Sequence, residues 1–126
     1  MDPAGPPADV VIVDRPIERT ELRRLVDRFF GDMVKVVVDI RRRVVAVGGE
    51  LHADAEALLL EGGSLQVDVW GVNDSPGLGA AHCLEFTALT NIRPGPGNRS
   101  MVIEDEAVRE GVRDIVHALV AKGDAL

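Results

Sequence analysis

The sequence predicts a single α+β domain, a mainly antiparallel sheet of five or six strands with three helices. Three observations carry that reading. Val-rich runs recur at residues 10–13, 34–40 and 44–49, helical apolar periodicities occupy residues 18–30 and 106–120, and Gly- or Pro-containing breaks separate these segments. A chain of 126 residues, 46% of them apolar, fits one domain with one core. The expected order is β-α-ββ-α-β-β-β-α with the helices on one face. Residues 1–9 are read as a flexible tail, 10–122 as the domain and 123–126 as the C-terminal end.

The tail follows from three Pro and one Gly in "MDPAGPPAD". "VVIV" is apolar, β-branched and short enough for an edge strand. Leu22, Leu25, Val26, Phe29 and Phe30 then repeat with helical spacing, opened by Pro16 and closed by Gly31. "MVKVVVDI" and "VVAVGG" read as strands joined by an exposed hairpin turn at Arg41 to Arg43. In "SLQVDVWGVN" Leu65, Val67 and Val69 alternate with Gln66, Asp68 and Trp70, which predicts a strand with unlike faces. "NDSPGLGAAHC" is loop-like. "LEFTALTNI" predicts a strand carrying Leu84, Phe86, Ala88, Thr90 and Ile92 on one face, broken by "RPGPGN". "RSMVIE" predicts a returning strand. Asp105 suits the N-cap of a last helix whose apolar stripe is Val108, Val112, Ile115, Val116, Leu119 and Val120.

Composition limits the partners. The net charge is −7 and the pI near 4.9, which argues against nucleic acid, whose phosphates need a basic face. One Trp, three Phe and no Tyr leave little surface for stacking bases. Charge is uneven: residues 1–49 hold nine basic and eight acidic groups, residues 50–126 five and thirteen. Such polarity could steer self-association or a protein partner, although solvated charge is the plainer account. The single Cys83 cannot form an internal disulfide, and neither a secretory leader nor an apolar run of spanning length is visible, so a cytoplasmic protein without membrane contact is expected.

Two constellations carry candidate chemistry. "GGELHADAE" places Glu50, His52, Asp54 and Glu56 at every second position. On a strand these would form one oxygen and nitrogen face suited to a divalent metal. Ala, Leu and Glu dominate the stretch, however, so a helix is predicted, with Leu51, Ala55, Leu58 and Leu59 inward. His52 and Glu56 then stack along one rim as a natural pair, while Glu50 and Asp54 are accounted for by the positive end of the helix dipole. The set admits a divalent metal and does not require one.

"NIRPGPGNRS" brackets a Pro/Gly loop with Asn91, Arg93, Asn98, Arg99 and Ser100, donors matched to a carboxylate or phosphate. The plainer account pairs the two arginines with nearby carboxylates. His82 and Cys83 would point apart on a strand, and His117 is expected exposed.

The pieces "GGELHADAE", "WGVN", "NIRP" and "GNRSM" resemble an uncharacterised bacterial family of domains of unknown function, catalogue number 5674, over roughly residues 10 to 121. The resemblance implies a small intracellular single-domain protein and no activity. Its pattern also implies acidic residues in the Arg41 to Arg43 turn and at Val67, and this chain departs from it at both. It directs attention to the same two constellations.

The favoured function is an accessory or interaction domain that binds an anionic ligand or acidic partner segment through the Arg93–Arg99 loop. The alternative is a small hydrolase, metal-assisted or metal-free, with His52 as base or ligand beside Glu50, Asp54 and Glu56, and with Arg93 and Arg99 stabilising negative charge. A lesser alternative is an antitoxin-like regulator that would meet nucleic acid through Arg19, Arg23, Arg24, Arg28 and Arg41 to Arg43. The hydrolase requires His52 and the Arg93–Arg99 loop to share one pocket.

Overall fold

The computed structural model describes residues 9–93 and 97–126. The tail expected before Asp9 and the centre of the "RPGPGN" break lie outside the described residues.

Strand β1 (Val10–Val13), helix α1 (Arg19–Phe29), strands β2 (Val34–Asp39) and β3 (Val44–Gly48), helix α2 (His52–Glu61), strands β4 (Val69–Asp74) and β5 (Leu84–Glu85) and helix α3 (Glu106–Leu119) follow in that order. One five-stranded sheet runs β1-β3-β2-β4-β5, every pairing antiparallel. The Arg41 to Arg43 hairpin forms as expected, closed by Asp39, whose buried carboxylate accepts from the backbone N–H groups of Arg41 and Arg42 and from the Ser64 hydroxyl.

The helices do not share one face. α1 and α3 pack on the side that carries Val34, Val36, Val38, Val45, Val47, Trp70 and Val72, whereas α2 covers Val37, Ala46 and Val69 on the other. A strand covered on both sides is apolar at consecutive positions. "VVV" and "VVAV" carry that signature, which the expectation of a one-sided sheet passed over.

Two expected strands are shorter and one is lost. Residues 66–68 form a 3-10 turn that leaves Leu65 and Val67 exposed. β2 pairs with β4 only as far as Asp39 opposite Val69, so the alternating residues before Val69 have no partner strand. The segment expected to run from Leu84 to Ile92 stays in the sheet for two residues, then forms a 3-10 turn at Leu89–Asn91. "RSMVIE" contributes a single bridge, Val102 to Thr87. α3 forms as expected, with the Asp105 carboxylate accepting from the N–H groups of Ala107 and Val108 at 2.8 and 3.1 Å, and Val112, Ile115 and Val116 buried.

Candidate functional site

α2 begins directly after the positive-φ turn Gly48–Gly49, so its first residue, His52, is set over the sheet. Its buried face is His52, Ala55 and Leu59. This corrects the expected face: Leu51 and Leu58 are exposed, and His52 is a buried residue and not a rim residue. The physical reason is Gly71. A β-carbon there would stand 3.1 Å from His52 Cδ2, 3.0 Å from Thr90 Oγ1 and 2.7 Å from Ala88 Cβ. Its missing side chain is the space into which the ring and the 88–90 segment pack.

The imidazole is held by one bond, His52 Nε2 to the Val72 carbonyl oxygen at 2.8 Å. Burial pushes its pKa below the ordinary value; the Val72 bond pulls the other way, the Lys35 charge adds to the lowering, and the Asn73 side chain, beside the ring without a well-formed bond to it, opposes it. The ring is therefore neutral at pH 7.

Three strands supply the rest. Lys35, Asn73 and Glu85 lie opposite one another on β2, β4 and β5 and form one polar row on the α2 side. The Asn73 amide donates to Glu85 Oε1 at 2.7 Å, and the Lys35 ammonium lies 5.3 Å from the centre of the Phe30 ring. With Thr87 and Thr90 these groups line a cleft of about 420 Å³, to which exposed Leu51, Leu89 and Met101 add an apolar rim. Asn73 Oδ1 and Thr90 Oγ1 are buried without a hydrogen-bond partner among the described residues.

Glu56, one turn along α2 from His52, and Arg93 are near enough to feel each other's charge without forming an ion pair among the described residues. The Arg93 guanidinium stacks on Trp70, 4.1 Å from the ring centre, and donates to the Val69 carbonyl at 2.5 Å. Burial raises the Glu56 pKa and the Arg93 charge lowers it, while burial depresses Arg93 and Glu56 opposes that. Gln66 donates to Glu56 Oε1 at 3.3 Å. Glu56 Oε2 and Arg93 Nη1 are each buried without a hydrogen-bond partner among the described residues.

The other expected site residues are placed as follows. Asn91 accepts from Gly71 N–H at 2.8 Å and donates to the carbonyls of Gly71 and Met101 at 2.9 and 3.0 Å. The Asn98 amide nitrogen lies 3.1, 2.8 and 2.8 Å from the carbonyls of Asn91, Ser100 and Val102, and its oxygen accepts from Glu104 N–H. Both asparagines are thus committed to backbone. Arg99 and Ser100 are exposed, and their N–H groups donate to Glu104. The depression beside this loop, about 410 Å³, is lined by Trp70, Asn98, Glu104 and Asp105, carboxylates that disfavour an anion. Arg93 turns inward and Arg99 outward, so the expected two-arginine mouth is not assembled among the described residues.

The metal set is not assembled either. Glu50 and Asp54 border a different depression with Asp9 and Arg28. Among the described residues no three His, Cys, Asp or Glu side chains group closely enough for an ion. His52 and Glu56 lie one turn apart on the helix, but His52 is bonded to Val72 and Glu56 to Gln66, and no hydrogen bond joins the two among the described residues.

On the opposite side of the sheet Asp74, absent from the expected sites, is fully buried, and neither carboxyl oxygen has a well-formed partner among the described residues. Burial raises its pKa to about 7, against a lowering contribution from the Cys83 thiol. Burial and the Asp74 charge push the Cys83 thiol up in turn. His117 Nε2 stands 3.9 Å from Cys83 Sγ; His117 is half-buried, not exposed as expected. A thiol kept protonated in this way is a poor nucleophile.

The arginines of α1 are engaged: Arg24 with Glu21 at 2.6 Å, Arg23 with Asp27 at 3.9 Å, Arg28 with Asp9 at 3.7 Å and Arg19 with the Ala125 carbonyl. Among the described residues no helix is long and apolar enough to cross a membrane.

Residues 11–119 match the model of a family described as a protein of unknown function, DUF5674. No curated protein and no solved structure matches the chain.

Proposed function

We propose a function for a chain that belongs to the DUF5674 family: it is an accessory domain that binds a small polar ligand in the cleft between the start of α2 and residues 84–90. The observation that carries this is the pair of unpartnered atoms, Asn73 Oδ1 and Thr90 Oγ1, in one cleft. Buried polar groups are nearly always bonded, and a cleft that leaves two of them unbonded offers a ligand bonds that water would otherwise supply. The volume falls at the lower end of small-molecule sites. A single buried thiol is compatible with a reducing compartment and supports a cytoplasmic setting.

The hydrolase reading draws less support. That reading requires His52 and the Arg93–Arg99 loop to share one pocket, and among the described residues the His52 cleft is lined by Ala88, Leu89 and Thr90 but not by Arg93 or Arg99. Nε2 of the ring is also taken up by the Val72 carbonyl, and among the described residues no carboxylate is hydrogen-bonded to the imidazole to orient it as a base.

The test is a thermal-shift screen of small polar compounds on the wild type and on Ala53→Phe, a substitution at an exposed cleft-lining position. Compounds that stabilise the wild type and lose their effect in Ala53→Phe support the reading. Stabilisation retained in the variant, or no stabilising compound, overturns it.

A further inference from the structure

We propose that the ligand of this cleft is a small zwitterion, an α-amino acid with an apolar side chain; this rests on the cleft being a binding site. The polar row has opposite charges at its two ends, Lys35 on β2 and Glu85 on β5, with Asn73 between them. Two inter-strand spacings separate the end residues, roughly 10 Å between Cα atoms. Among the described residues no ion pair joins Lys35 to Glu85 or either of them to another side chain. The Lys35 ammonium rests on the Phe30 ring, a contact that leaves its hydrogen-bond donors available. Glu85 is held by Asn73 through Oε1 alone, so Oε2 is available as an acceptor.

A ligand with a carboxylate at one end and an ammonium at the other satisfies both ends at once. A purely anionic ligand would meet Glu85, and a purely cationic one would meet Lys35. Neutral His52 adds no charge that would bias the choice. Between the charged ends, Asn73 Oδ1 accepts from an N–H and Thr90 Oγ1 donates or accepts. The rim of Leu51, Leu89 and Met101 stands exposed beside them, and burying a side chain against it supplies the apolar part of the affinity. This selects an apolar amino acid over a polar one.

The test is calorimetric titration with four matched probes: leucine, N-acetyl-leucine, leucinamide and N-acetyl-leucinamide. Leucine binds, and removal of either charge weakens binding by about tenfold or more. Lys35→Met erases the preference for leucine over leucinamide, and Glu85→Gln erases the preference for leucine over N-acetyl-leucine. Both positions carry part-exposed or exposed side chains, and an unchanged melting temperature confirms that each variant folds. Equal binding of all four probes overturns the zwitterion and leaves the cleft a binding site. If none of the four binds while other small compounds stabilise the wild type and not Ala53→Phe, the zwitterion alone fails. If no compound does so, the binding reading fails with it.

Discussion

His52 Nε2 lies 2.8 Å from the carbonyl oxygen of Val72. A carbonyl only accepts, so Nε2 carries the ring proton and Nδ1 keeps its lone pair. The bond fixes both the tautomer and the orientation of the one histidine in the cleft.

That neutral state has a pH signature. The folded pKa of His52 lies below its ordinary 6.5, so the unfolded chain takes up a proton first as pH falls. The stability associated with the neutral ring is complete above 6.5 and is lost as pH falls through the folded pKa. Chemical denaturation at pH 7.5 and pH 5 measures the change. His52→Gln, which has no titrating group at this position, removes that contribution, so on acidification its stability falls less, or rises more, than that of the wild type. A variant with the same pH slope as the wild type would place the titration elsewhere.

Asp74 gives the opposite slope. Its carboxyl has an ordinary pKa of 3.8 and is raised to about 7 in the fold. Below 3.8 both states are protonated and the fold bears no charge penalty; as pH rises through about 7 that advantage is lost, on the order of 4 kcal/mol in all. Asp74→Asn makes the fold less sensitive to pH between 4 and 8 and raises its stability at pH 8 relative to the wild type. Urea denaturation at pH 5 and pH 8 checks this, and an unchanged difference between the two pH values would contradict it.

Gly71 and Asn91 hold the cleft wall together. Gly71→Ala forces a methyl group to 2.7 Å from Ala88 Cβ and destabilises by about 1–3 kcal/mol. Asn91→Ala strips bonds from the buried N–H and C=O of Gly71 and costs about 2–4 kcal/mol. Combined, the two substitutions cost less than the sum, because both displace the same segment. Additive losses would show that the wall does not move as a unit.

Metal-assisted chemistry at His52 has its own outcome. Among the described residues no ligand set gathers there, so Zn²⁺, Mn²⁺ and Mg²⁺ produce no melting-temperature increase that depends on His52. An increase abolished by His52→Ala would restore the metal-dependent hydrolase.

The helices and the hairpin were legible because their signals are local: periodicity for α1 and α3, a carboxylate cap at Asp105, Val density in β2 and β3. What escaped depends on partners distant in sequence. The alternation at Leu65 and Val67 is real, but the strand opposite ends at Asp39. His52 reads as a rim residue until Gly71, nineteen positions later, is seen to make room for it. Lys35 carried an overlooked signal, a lone cation inside a Val run, which marks a strand face that reaches an opening. Asn91 and Asn98 looked like ligand donors because side-chain amides serve ligands and backbone equally well.

Mapping backbone-amide NMR shifts on adding a stabilising compound is the most direct measurement of the central claim. Binding in the cleft perturbs one contiguous set of amides at residues 51–53, 73 and 85–90 and leaves Arg99, Ser100 and Glu104 unmoved. Perturbation centred on Arg99 and Ser100, or none in the cleft, would contradict it.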